Sequence, residues 1–181
     1  TAIRQGKAIY GGISSYDGAL TRRAVETCEK EGFYRPIIHQ PSYSMFNRWI
    51  EPDLLPAASE LGLGVIAFCP LAQGLLTSKY LKGIPGKSRA SSASPFLNAK
   101  NVTGGVMEKV RALDAIARER GQTLAQMALA WTVRPGAATS ALIGASTPAQ
   151  VVENCGALRG AGFSAAELGR IEAALAPRAH G

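Results

Sequence analysis

The chain has 181 residues, 46% of them hydrophobic and 18% charged, enough apolar material for one buried core and too much for a disordered tail. Its formal charge of +7 comes from lysines and arginines scattered singly or along helix faces, without the continuous basic stripe and interleaved aromatics of a nucleic-acid surface. No run approaches the roughly 18 uninterrupted apolar residues of a membrane span, and no charged-then-apolar leader opens the sequence, so a cytoplasmic protein with neither nucleic acid nor membrane as partner is expected.

Taken in chain order, helix-forming Ala2 to Gln5 run into Gly6, as a glycine closes a helix at its C′ position. The matching helix start and an initiator Met are absent, so an upstream segment is expected. "AIYGGI" (Ala8 to Ile13) then reads as the first of four apolar strands, followed by "PIIHQ" (Pro36 to Gln40), "LGVIAF" (Leu63 to Phe68) and "SALIGA" (Ser140 to Ala145). Each is expected to be buried on both faces, as in a parallel sheet.

Helical patterns lie between them. Asp17 caps a helix toward Lys30 that places Leu20, Ala24, Val25 and Cys28 on one face, with Gly32 just beyond its end. Pro52 opens a second helix toward Glu60. Residues 88–105, rich in small residues and serine, carry no apolar period and are expected to form a flexible loop. Two helices follow, Val106 to Arg120 and one capped by Thr123 with Gln126 at capping-box spacing. Ser164 and Glu167 form a second box at the last helix, with Phe163 and Leu168 placed as a hydrophobic staple. A frayed tail is expected over 176–181. Cys28, Cys69 and Cys155 lack the short paired spacings of metal or redox sites and read as reduced thiols.

Strands alternating with helices give an α/β architecture with right-handed parallel crossovers. All four strands end in polar or small residues ("ISSY", "HQPSY", "CPLAQG", "GAS"), and no first turn fits G-x-G-x-x-G. A (β/α)8 TIM-barrel type is therefore favoured over a doubly wound sheet. Four strands with their helices make only half of one.

Two stretches could hold phosphate. In "GASTPAQVVEN", Thr147 is an N-cap, Pro148 fits the first turn, Gln150 completes a capping box, and small Gly144, Ala145 and Ser146 leave backbone N–H groups open to an anion. A well-capped helix with small residues packed behind it explains that spacing somewhat better. In "CPLAQGLLTSKY", Pro70 and Gly74 shape the backbone, and Lys79 and Arg89 can reach the same ligand; an ordinary loop with surface cations is the alternative. Their convergence on the last two strands, where barrels often bind phosphate, favours a site.

At these residues the chain resembles the aldo-keto reductases, in particular the branch of potassium-channel β subunits and bacterial glyceraldehyde-3-phosphate reductases. The resemblance rests on "GKAIYGGISSY", "IIHQPSYSMFNR", "GVIAFCPLAQGLLTSKYLKGIP", "TLAQMALAW" and "SALIGASTPAQVVEN", in the family's order and over essentially the whole chain. It implies the C-terminal half of an NADP(H)-binding barrel that reduces aldehydes or ketones, with residues 1–181 as one unit. By motif, Ser14, Ser15 and Gln40 are implied to bind the nicotinamide carboxamide, and Phe68 to lie near the ring. Cys69, Pro70, Leu71, Ala72, Gln73 and Lys79 would line the pyrophosphate, and Arg89 would close over the cofactor. Gly144, Ser146, Gln150, Glu153 and Asn154 would hold the adenosine and its 2′-phosphate.

The family's proton donor, a Tyr tuned by Lys and Asp and assisted by His, belongs to the first half of the barrel. None of Tyr10, Tyr16, Tyr34, Tyr43 or Tyr80 stands in that context, so no catalytic residue is assigned. His39 reads as a packed strand-end residue and His180 as part of the frayed tail; Tyr43 and Tyr16 either border the substrate or belong to an ordinary rim. The expected partners are a small carbonyl substrate, the N-terminal half of the barrel and further copies of the chain in a homo-oligomer. Alone, the chain is expected to be inactive and to self-associate or bind cofactor poorly, because its sheet edges are open. The alternative function is a redox-sensing NADP-binding regulatory module of the channel β-subunit kind.

Overall fold

The computed structural model of the chain describes residues 1–81, 83–84, 86, 102, 104–160 and 162–177. Arg89, His180 and nearly all of the loop expected over 88–105 lie outside the described residues. The elements alternate: β1 (Gly12–Ser14), α1 (Gly18–Lys30), β2 (Ile38–Gln40), α2 (Leu54–Glu60), β3 (Gly64–Phe68), α3 (Gly104–Glu119), α4 (Leu124–Thr132), β4 (Ser140–Leu142), α5 (Pro148–Cys155) and α6 (Ala165–Leu175). The strands form one sheet in the order β1-β2-β3-β4, and every pairing is parallel. The α/β expectation holds.

The strands are shorter and less covered than expected. Ile9 is 80% and Tyr10 69% exposed, so "AIYGGI" contributes only its last residues to β1. Along β3, Val65 and Ala67 are buried while Gly64, Ile66 and Phe68 are half-buried, and in β4 Leu142 is 52% exposed. Alternation of this kind means that helices cover one face of the sheet and leave the other bare, which corrects the expectation of burial on both faces.

The helices begin and end largely where local chemistry dictates. Asp17 accepts a hydrogen bond from Leu20 N at α1, Thr123 and Gln126 make a reciprocal capping box at α4, and Ser164 and Glu167 make another at α6. Residues 1–6 form a single turn closed by Gly6, with Lys7 N donating to Ala2 O at 3.0 Å. Two details differ. The packed stripe of α1 runs through Thr21 and Val25, with Leu20 46% exposed, because the helix is seated through Gly18 on α2. In turn α2 starts at Leu54 rather than at Pro52, and Asp53 does not cap its own helix.

Asp53 caps its neighbour instead. Its carboxylate accepts from Gly18 N at 2.7 Å and meets Arg22 at 3.2 Å, so it satisfies an orphan donor at the start of α1 from across the helix pair. A Cβ on residue 18 would fall inside this carboxylate, which is why the position is glycine.

Below the sheet, Met107, Val110, Leu113 and Ile116 of α3 meet almost wholly buried α4 and Ile171 of α6. A polar knot closes the core on one side. Tyr43 Oη donates to Glu51 at 2.6 Å, Arg134 and Arg48 bind the same carboxylate, and Arg134 lies 3.8 Å over the Trp131 ring. Burial opposes ionisation of Glu51, but Arg48, Tyr43 and Arg134 together hold its pKa below the ordinary value.

Gly18→Ala is expected to cost about 1–2 kcal/mol in urea unfolding, by expelling the Asp53 carboxylate. On an Asp53→Ala background the same substitution should cost far less, and equal costs in the two backgrounds would count against the cross-helix cap.

Candidate functional site

Parallel pairing sends the carboxyl ends of all four strands to one edge of the sheet, and the expected site residues gather there. Ser14 pairs with Gln40 in register, and Ser14 Oγ donates to Gln40 O at 2.7 Å. Ser15 follows in the left-handed region at φ 57°, its N–H donating to Gln40 O at 3.3 Å. Phe68 closes β3, its N–H bonded to Pro41 O and its carbonyl to Tyr43 N.

After Phe68 the backbone takes an unusual course. Cys69, Ala72 and Gln73 stand at φ 57°, 47° and 59°. With Ser15 these are the only non-glycine residues at positive φ among the described residues, and all four were marked by the sequence as cofactor contacts. Each left-handed non-glycine residue costs on the order of 1–2 kcal/mol, and such strain tends to collect at functional sites. Buried Pro70, Leu75, Leu76 and Tyr80 anchor the segment from below, while Gln73 Nε2 lies 3.0 Å from Cys69 Sγ. A short 3-10 turn, Ser78–Tyr80, then presents Lys79; Thr77 caps it and also donates to Gly74 O at 2.7 Å.

This segment is one wall of a cleft of about 450 Å³. Cys69, Pro70, Leu71, Gln73 and Lys79 line that wall; Gly144, Ser146, Gln150, Glu153 and Asn154 line the other. Ser14, Ser15, Gln40, Phe68 and Ala72 do not line it; the first three lie beyond it on the same edge, at the tips of β1 and β2. The volume falls within the usual range of small-molecule sites.

The second wall is fixed by α5 and by its neighbour α4. Thr147 caps α5, accepting from Gln150 N at 3.3 Å. The capping box expected here is displaced by one residue: Gln150 Oε1 accepts from Ser146 N at 2.7 Å and passes over the N–H of Thr147. Ser146 N–H is thus satisfied from within the chain. Toward the far end of α5, Gln126 Nε2 donates to Glu153 O at 2.9 Å, tying the stretch that carries Glu153 and Asn154 to the start of α4.

Tyr43 is fully buried with its hydroxyl in the Glu51–Arg134 knot, so it does not face the cleft; Tyr16 is 41% exposed near the β1 tip. His39 is fully buried beside Gln40, as a packed strand residue, and neither ring nitrogen meets hydrogen-bond geometry. Burial lowers its pKa, and the nearby Tyr16 backbone opposes the shift only in part. Among the described residues no group of His, Cys, Asp or Glu side chains is placed to hold a metal, the three cysteines are unpaired, and no helix is long and apolar enough to cross a membrane.

The family model for the aldo/keto reductase family matches residues 1–176. The chain belongs to that family. Over 179 residues, 97% of this chain and 51% of the relative, it is 44% identical to L-glyceraldehyde 3-phosphate reductase of Escherichia coli strain K12. It is also 37% identical over 159 residues to a probable voltage-gated potassium channel subunit beta of Oryza sativa subsp. japonica, covering 86% of this chain and 48% of that one. A putative subunit of the same kind in Schizosaccharomyces pombe is 36% identical over 156 residues, 84% of this chain and 45% of the relative. The chain spans about half the length of the curated relatives it matches.

In this aldo/keto reductase chain the cleft also uses Gly74, which the sequence marked only for its backbone, and residues that sequence reasoning passed over as site residues: Thr77, Ser78, Thr123, Ala125, Leu142 and Ile143. Thr123 was absorbed by its capping role, and only the packing of α4 beside α5 brings it to the cleft. Thr77 and Ser78 sit inside the quoted stretch that ends at Tyr80, and their hydroxyls were the available signal.

Ser15→Gly should raise stability by about 1 kcal/mol, because glycine occupies the left-handed region without strain; an unchanged or lower urea midpoint would show that the Ser15 backbone is not strained. For His39 the sign follows from its lowered folded pKa. As pH falls below 6.5 the unfolded chain takes up the proton first, so stability is lost. The carboxylates Glu51, Glu119 and Glu167, lowered from 4.5, keep their contribution until more acid pH. Between about pH 7.5 and about pH 5 the wild type should therefore lose more stability than His39→Leu, measured by chemical unfolding at each pH.

Proposed function

We propose that the chain is the cofactor-binding half of an NADP(H)-dependent aldo-keto reductase acting on a small aldehyde or ketone. The observation that carries this is the cleft at the carboxyl ends of β3 and β4, where the strained Cys69–Gly74 segment and Lys79 face Gly144, Ser146, Gln150 and Asn154. The supporting fold argument is topological. Strand order follows the chain without reversal and helices cover only one face, which suits a segment of a barrel wall and not a doubly wound sheet, whose order reverses and whose two faces are both covered.

The residues fit a dinucleotide. Gly144 leaves open space where a side chain would stand, Lys79 brings a cation, and Ser146, Gln150 and Asn154 bring neutral donors and acceptors. NADPH supplies a hydride to a carbonyl carbon. In this reading Lys79 neutralises phosphate charge, and the left-handed segment gives the phosphates close access to backbone. Ser14, Ser15 and Gln40 fix the nicotinamide carboxamide, and Phe68 lies near the ring. Proton delivery to the carbonyl oxygen is assigned to no residue of this chain, so the chain alone turns over no substrate. Arg89 remains in the proposal as a closing cation.

The named reductase relative favours an enzyme; the channel β-subunit relatives favour a second reading, an NADP-binding regulatory module in which turnover is incidental. Cytoplasmic location and a homo-oligomeric state are part of the same proposal.

NADPH should raise the melting temperature of the chain more than NADH at equal concentration. Lys79→Met should weaken NADPH binding about tenfold, a typical loss for one charge-assisted contact. Equal stabilisation by the two nucleotides would refute the preference for the phosphorylated cofactor, and an unaffected Lys79→Met variant would refute the role of the lysine.

A further inference from the structure

On the footing of the dinucleotide site above, we propose that His39 is a positioning residue for its nicotinamide end: acting through the Tyr16 peptide, the ring holds the Ser14–Ser15 corner in the shape that receives the carboxamide. His39 stands one residue before Gln40 in β2, opposite Ile13 of β1 and Val65 of β3. Alternation along the strand sends its side chain to the helix-covered face, where it is fully buried beside buried Val65, while half-buried Gln40 takes the other face.

The polar atoms of the ring set it apart from a packing residue. Neither Nδ1 nor Nε2 has a hydrogen-bond partner. A buried polar atom without a partner is costly, and an apolar side chain would fill this place without that cost. The polar group that bears on the ring is the Tyr16 backbone, which favours the protonated imidazole as a carbonyl acceptor does, and so marks a ring N–H turned toward it. Among the described residues the Tyr16 peptide makes no backbone hydrogen bond of its own. A donor and an acceptor thus meet at the corner as a pair not yet closed.

Both neighbours of Tyr16 are already fixed. On one side Ser15, left-handed at φ 57°, donates from its N–H to Gln40 O at 3.3 Å, and Ser14 Oγ donates to the same carbonyl at 2.7 Å. On the other side Asp17 caps α1, and its carbonyl accepts from Thr21 N and Thr21 Oγ1. The Tyr16 peptide links these two anchors, and the His39 ring is the polar group placed to hold it. A shift of this link turns Ser14 and Ser15 relative to Gln40, because both serines bond to its carbonyl. A carboxamide bound across the three keeps the corner in place, and the His39–Tyr16 bond closes with it. Adenosine and its phosphates occupy the cleft between 69–79 and 144–154, which neither serine nor Gln40 lines, so they do not draw on the corner.

The test titrates the full chain calorimetrically with NADP+ and with adenosine 2′,5′-bisphosphate, which lacks the nicotinamide, as wild type, His39→Leu, His39→Asn and His39→Gln. His39→Leu should weaken NADP+ binding roughly fivefold, the worth of one hydrogen bond, and leave bisphosphate binding within about twofold. Asn carries an amide N–H where Nδ1 stands and Gln where Nε2 stands, so one of the two should return NADP+ affinity to within about twofold of wild type. In the wild type a ring N–H proton of His39 should move downfield and become protected from exchange on adding NADP+, and not on adding the bisphosphate. Circular dichroism and urea unfolding of the variants check that the fold is intact.

A wild type that binds NADP+ while His39→Leu binds it equally well overturns the positioning role and leaves the dinucleotide site standing. So does an equal loss of both nucleotides in His39→Leu, which makes His39 a plain packing residue. A selective loss of NADP+ that neither amide variant restores, or a ring proton indifferent to NADP+, also overturns it. A wild type that binds neither nucleotide removes the dinucleotide site, and the role of His39 falls with it.

Discussion

Parallel pairing of β3 with β4 is the interaction on which the candidate site depends. The segments that form the two walls of the cleft, 69–79 and 144–154, are far apart in sequence and share an edge only because both strands run the same way. Ile66 pairs with Ser140 and Phe68 with Leu142. Thr139 fixes that register twice over, donating from its N–H to Val65 O at 2.9 Å and accepting from Val65 N on its hydroxyl at 3.0 Å. A slip of one residue would turn Leu142 to the helix-covered face and move Gly144 and Ser146 away from Lys79. A short strand with a side-chain pin can set the site because the pin lies at its amino end and the cleft at its carboxyl end.

That register also explains why strain is tolerated where it occurs. The left-handed residues Cys69, Ala72 and Gln73 are held by backbone bonds within their own turn: Ala72 N to Cys69 O, Gly74 N to Leu71 O, and Leu76 N to Leu71 O. Pro70, Leu75, Leu76 and Tyr80 are buried beneath them. Hydrophobic burial below over-determines a backbone that local preference would reject, and this is the arrangement in which unfavourable dihedrals persist. Ser15 is held differently, by two bonds from the serine pair to the carbonyl of Gln40. Both ends of the candidate site thus draw their geometry from tertiary contacts.

The split between local and tertiary causes decides what could be read from the sequence. Asp17, the Thr123–Gln126 and Ser164–Glu167 boxes and the glycine at position 32 depend on neighbours a few residues away, and the helices they bound stand within a residue or two of expectation. The phase of α1 was misjudged because it is set by Gly18 against Asp53, a partner 35 residues on. The extents of β1 and β4 were overestimated because an apolar run shows a capacity for burial, not which faces find cover. The knot of Tyr43, Arg48, Glu51, Arg134 and Glu172 had no local signature at all. At the site, the residue types on both cleft walls were legible through family motifs. Their hydrogen bonds were not, and Gln150 shows why: spacing places a glutamine where it can cap, but the path of the preceding residues decides which N–H it reaches.

The two cleft walls are coupled to the core by different contacts. Gln126 belongs to α4, the most deeply buried helix, and its amide both completes the cap on Thr123 and holds Glu153 O. Gly156 lacks a side chain where that amide passes, since a Cβ there would stand 2.5 Å from Gln126 Nε2. The α5 wall therefore moves with α4, and displacing it would disturb the packing of Trp131, Met127 and Leu124. On the facing wall Ser78 and Lys79 are exposed, while Leu75, Leu76 and Tyr80 anchor it in the same core as Leu124, Met127 and Trp131. Both walls of the cleft are thus tied to one core, the α5 side through Gln126 and the 69–79 side through its buried leucines and Tyr80.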